Sequence, residues 1–136
     1  MDRSSPEYIS QEQFLITELH YTLGQVRTQL GDLSPVERCT EIGGRTVEQL
    51  LQHMNTDELR FQTQYAQLLS VPVPDDLTNA DALEQQFETR RRQTIELLRA
   101  AGSTWQPALL GTVQQQVHAD RRHATAIATC HIGLRQ

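Results

Sequence analysis

Apolar residues recur along this chain at alternating steps of three and four, the spacing of a helix that turns one face to a core, in four long stretches separated by proline and glycine clusters. The first stretch opens at Ser10, positioned to cap a helix with Gln13 reaching back in a capping box. It carries Leu15, Leu19, Leu23, Val26 and Leu30 before Gly31. The second opens at Thr46, with Gln49 in the same relation, and sets Val47, Leu51, Met54, Glu58, Phe61, Tyr65 and Leu68 on one stripe. After Val71-Pro-Val-Pro-Asp-Asp, a third helix is expected from a cap near Asn79, with Ala80, Leu83, Phe87, Thr94, Leu98 and Ala101 aligned before Gly102. A fourth is expected from about Pro107, with the stripe Leu110, Val113, Val117, Asp120, Ala124, Ile127, His131 and Leu134.

No segment alternates with period two, so the pattern predicts an all-α fold, a four-helix bundle forming one domain over residues 1–136. The connection from Gly31 to Arg45 is long enough to cross a bundle end between helices one and two, whereas the later connections are short.

Composition narrows the chemistry. With 38% hydrophobic residues and only 12 Gly plus Pro among 136 residues, the chain has the make-up of a folded domain. All 12 basic residues are Arg, and the lack of Lys excludes a Schiff-base lysine, a pyridoxal-phosphate anchor and a P-loop lysine. A formal charge of -5 argues against nucleic acid as a partner. The start Met1-Asp-Arg-Ser-Ser-Pro has no apolar core of a signal peptide, and no segment has the run of apolar residues needed to cross a membrane. A cytoplasmic protein is therefore expected, with Cys39 and Cys130 as free thiols.

Two inward positions stand out. Glu58 falls on the second apolar stripe, where a carboxylate must be paired, metal-bound or protonated; the candidates are Arg90 or Arg91, a histidine of the fourth helix, or an ion. The run Arg90-Arg91-Arg92 otherwise reads as a solvated face offsetting Glu84, Glu88 and Glu96, with room for one arginine to turn inward. His53 and Asp57 are four apart, suited either to a ligand with its orienting carboxylate or to a surface hydrogen-bonded pair. His118 and His123 are five apart and so diverge by about 140° around a helix. No nucleophile elbow is present, and Cys130 and His131 point about 100° apart.

The segments Leu33-Ser-Pro-Val-Glu-Arg, Arg45 to Phe61 and Val117-His-Ala-Asp-Arg-Arg-His-Ala-Thr-Ala-Ile together resemble the DinB-like superfamily of four-helix metalloenzymes, over nearly the whole chain. In that family the second helix opens on a pattern close to Val-x-Glu-Leu-Leu-x-His followed five residues later by Glu, the places of His53 and Glu58. The last helix carries HxxxHxxQI or an acid at its first His; His123 and Ile127 fit, while Ala119 and Ala126 stand where the first ligand and the Gln are usual.

The resemblance implies a metal set drawn from His53, His123, Glu58 and His118, holding zinc or nickel weakly. It also implies a homodimer and a chemistry of thiol transfer or hydrolysis, with a low-molecular-weight thiol such as bacillithiol, mycothiol or glutathione as cofactor. The incomplete motif keeps a second class open, a metal-free, catalytically inactive helical dimer that binds a small ligand or a protein partner.

Overall fold

A computed structural model describes residues 10–74 and 82–135. These form five helices: α1 (Gln11–Leu30), α2 (Pro35–Arg38), α3 (Val47–Leu69), α4 (Leu83–Ala100) and α5 (Pro107–Arg135). The described residues contain no strand, only an isolated bridge between Ile42 and Arg45. No helix is long and apolar enough to cross a membrane, among the described residues.

Both expected capping boxes form. The Gln13 N–H donates to the Ser10 hydroxyl, the Gln49 N–H donates to that of Thr46, and each glutamine side chain accepts from its cap residue's N–H. The connection expected as a plain crossover holds a helix of its own: Ser34 and Glu37 make a third capping box around the single turn α2. Beyond α2 the chain reverses at Ile42-Gly43-Gly44-Arg45, where both glycines have positive φ (63° and 88°), as a tight two-residue reversal of this kind demands. The expected cap Asn79 and Ala80 lie outside the described residues; α4 starts at Leu83 after Ala82, which makes no side-chain cap bond.

The four long helices pack in a ring, with α3 against α4 and α5, and α1 against α5 and α4. Their buried faces divide into two apolar clusters. One gathers Leu23, Val26, Leu30, Leu51, Met54, Phe87 and Ile127, and the other Leu19, Phe61, Tyr65, Leu98, Leu109 and Val113. Along every long helix the boundary between the clusters is polar: Thr22, Glu58, Arg91 with Thr94, and Asp120 with Gln116, all buried. The inward phase read for Glu58 and Asp120 is therefore correct, and the core is layered apolar, polar, apolar. The fourth stripe is shifted at both ends, because Leu109 is buried while Leu110, His131 and Leu134 are half-buried.

Candidate functional site

Arg91 is the centre of the polar layer, with its side chain only 1% exposed. Its guanidinium has five N–H bonds, and the five contacts they make match that supply. Nε and Nη2 donate to Glu58 Oε1 at 3.1 and 2.8 Å. Nη2 and Nη1 donate to the two carboxylate oxygens of Asp120 at 2.7 and 2.8 Å, and Nη1 also donates to the Leu19 carbonyl at 2.9 Å. The cation lies over the Phe87 ring, 5.0 Å from its centroid. Glu58 also accepts from the Thr94 hydroxyl at 2.6 Å and from Gln116 Nε2 at 3.0 Å to each oxygen, and Gln116 accepts in turn from the Tyr65 hydroxyl at 2.6 Å.

One cation here faces two buried carboxylates. Burial alone would lower the Arg91 pKa, but Glu58 and Asp120 outweigh that and raise it, so the guanidinium stays charged. Burial raises the Asp120 pKa against the opposing pull of Arg91. Burial, reinforced by the Glu58 charge, also raises that of Tyr65 well above its ordinary value.

Next to this layer, between α3 and α5, three donors converge. His53 Nε2 lies 3.5 Å from Asp57 Oδ2, and His123 Nε2 lies 3.3 Å from the same oxygen. The imidazoles meet edge to face with centroids 5.1 Å apart, and one donor atom from each of the three residues lies within 4.8 Å of the other two. Arg60 Nη2 approaches the other Asp57 oxygen at 3.5 Å. The His53 side chain is 60% exposed and that of His123 13%, so the group opens to solvent on the α3 side. Burial is the main reason the His123 pKa is lowered, helped by His53 and Arg91 and opposed by Asp57. Asp57 and His123 also line a cleft with Glu58, Ala119 and Asp120 that has no room for a water-sized molecule.

Two of the four metal-site residues named from the sequence, His53 and His123, thus come together. The other two do not join them: Glu58 has its oxygens turned to Arg91, Thr94 and Gln116, and His118 is exposed on α5, lining a different cleft. The third donor in contact is Asp57, whose spacing of four from His53 was its only sequence signal. Of Arg90 and Arg91, the two arginines offered as partners of Glu58, it is Arg91 that bonds to it; Arg90 is also buried, so helical phase did not separate the two. Gln116, a further buried partner of Glu58 beside Arg91 and Thr94, lies one residue off the apolar stripe and carried no signal of its own. Compared with known proteins, the chain matches no family model, no curated protein and no solved structure.

Proposed function

We propose that the chain is a DinB-like four-helix bundle, its α1–α3 connection crossing one end, that holds a divalent metal at His53, Asp57 and His123 and acts as a metal-dependent thiol transferase or hydrolase. The observation that carries this reading is the spacing of the three donors. Two ligand atoms bound about 2.0–2.1 Å from a tetrahedral ion stand about 3.4 Å apart, and Asp57 Oδ2 lies 3.5 and 3.3 Å from the two imidazole nitrogens. Two imidazoles and one carboxylate suit zinc or nickel, and also ferrous iron. Such an ion, when bound, polarises a thiol or a water molecule.

The chain's own residues supply the setting. Desolvation favours the neutral His123 imidazole, the form that coordinates. Exposed His53 leaves the solvent side of the group open to an incoming ligand. With no void behind the group, a substrate is received from the outer face between α3 and α5.

A metal-free reading has its own support, since Asp57 contacts both imidazoles and Arg60 without an ion. Metal analysis of tag-free protein and calorimetric titration with zinc, nickel and anaerobic ferrous iron separate the two. Binding of one ion per chain, lost in Asp57→Ala and His123→Ala, is the expected result. Absence of binding by the wild type would overturn the metal reading, and binding that survives Asp57→Ala would move the third ligand elsewhere.

A further inference from the structure

An open cleft lies on another face of α5. It encloses about 580 Å³ between the Ile42–Arg45 reversal and the side of α5 that carries Arg121, Arg122 and Thr125, a volume within the range of small-molecule sites. Its walls are mainly apolar, from Ile42, Ala126, Cys130 and the threonine methyl groups. Its polar character is of one sign. Arg45, Arg121 and Arg122 line it, His118 adds an imidazole, and among the described residues no Asp or Glu does so, in a protein whose formal net charge is -5.

Among the described residues, neither Arg45 nor Arg122 has an acid within ion-pair distance. Arg121 reaches Glu18 only at 3.6 Å, with its side chain 63% exposed. The two paired glycines of the reversal set Arg45 at the rim, and Gly133 lets Ile42 lie directly against α5: a Cβ at residue 133 would stand 2.8 Å from Ile42 Cγ2. The cleft is therefore held by backbone geometry on one side and a helix on the other. Burial, partly countered by Arg45, raises the Cys130 pKa, which keeps the thiol neutral and part of the apolar lining.

We propose that this cleft binds a small amphipathic organic anion, a carboxylate or phosphate monoester on a short apolar body, with Arg45, Arg121 and Arg122 around the head group and Ile42 and Ala126 against the body. Two guanidiniums without an acidic partner among the described residues, Arg45 and Arg122, and a third, Arg121, in only a long, exposed pair with Glu18, suit an oxyanion, since arginine can meet carboxylate or phosphate with paired N–H bonds. The apolar wall rewards a body that a bare inorganic ion lacks. Arg122 and Ala126 flank His123 along α5, so a bound anion would lie at the level of the proposed metal centre, but the inference does not rest on that centre.

The test is calorimetric titration of the full chain with octanoate, octyl phosphate and octanol. The anions are expected to bind once per chain, at least tenfold more tightly than octanol, with affinity falling as salt is raised. Arg45→Gln and Arg122→Gln should each weaken anion binding about tenfold, and Arg27→Gln, a surface arginine paired with Glu88 outside the cleft, should leave it unchanged. Both cleft arginines are surface-facing, and unchanged circular dichroism verifies the fold of each variant. Equal affinity for octanol and octanoate, or no binding of any probe, overturns the proposal. Binding to phosphatidylglycerol vesicles without binding of the free anions would assign the cleft to a lipid surface instead. A self-associated chain that binds no probe and dissociates in Arg122→Gln would assign it to a second copy.

Discussion

Arg91 shows why a buried ion pair is poor evidence of net stabilisation and strong evidence of constraint. Its five donors are satisfied, yet the group keeps two carboxylates out of water. Removing the cation while keeping bulk, as in Arg91→Met, strands Glu58 and Asp120 and is expected to cost about 3–5 kcal/mol, read from denaturant unfolding. Asp120 gives the pH signature. Its folded pKa is raised above the ordinary 3.8, so its protonation stabilises the fold fully below that value, and this contribution is lost as pH rises through the folded pKa. The stability gap between wild type and Asp120→Asn should therefore shift in favour of the variant on going from pH 3.8 upward; the opposite slope would mean that Arg91 holds the carboxylate ionised. At the neighbouring site, Ala119 is one helical turn before His123, but it is buried against a cleft without free volume. Ala119→His is accordingly expected to leave zinc affinity little changed and to destabilise by about 1–3 kcal/mol through overpacking; a large gain in affinity would show that the cleft opens. At this scale the sequence disclosed that Glu58 and Asp120 point inward, because phase on a helix is periodic. Which of Arg90 and Arg91 answers them depends on the rotation of α4 about its axis, since spacing from Phe87 and Thr94 places both on the inward side.

Helix beginnings were the most readable elements, since a cap is chemistry between residues three apart: Ser10 with Gln13 and Thr46 with Gln49 both close as the sequence predicts. Ser34 and Glu37 carry the same signature, but their helix is a single turn with no apolar stripe to draw attention to it. The long α5 was misread at its ends for a different reason. A stripe of alternating threes and fours has a period of 3.5, and a straight helix drifts about 20° per heptad away from it, so over this helix the buried face passes from Leu109 through Val113 and Ile127 to Cys130. The contact of α5 with the preceding connection gives a sharp test. A methyl group at residue 133 would meet Ile42 Cγ2, which is fixed on a branched Cβ and cannot swing aside as a chain end could. Gly133→Ala is expected to lower stability by about 1–3 kcal/mol and to displace the Ile42 reversal, with Ile42→Ala in the same chain relieving most of the loss. Thermal or denaturant unfolding of the single and double variants measures both effects.

For the molecule as a whole, the two apolar clusters supply the driving force. Leu51 and Ile127, both essentially inaccessible, should each cost about 2–5 kcal/mol on truncation to Ala. The all-helical class was legible because period and caps are local properties. The convergence of His53 and His123 entered only through the family resemblance, since their approach requires α3 and α5 to be neighbours. The arginine-lined cleft was not legible at all, because it joins a turn to a helix far away in sequence. One feature of the interior bears on how the chain assembles. The guanidinium of Arg91 on α4 bonds to α1 through Leu19, to α3 through Glu58 and to α5 through Asp120. An intermediate lacking any one of these helices would contain a charged group with an empty partner position, so the last helix to dock completes a circuit that the first three cannot close. Unfolding should then proceed as a single transition by every probe, slow amide exchange should extend to all four long helices with one common free energy, and fragments missing either α1 or α5 should not form a stable partial bundle.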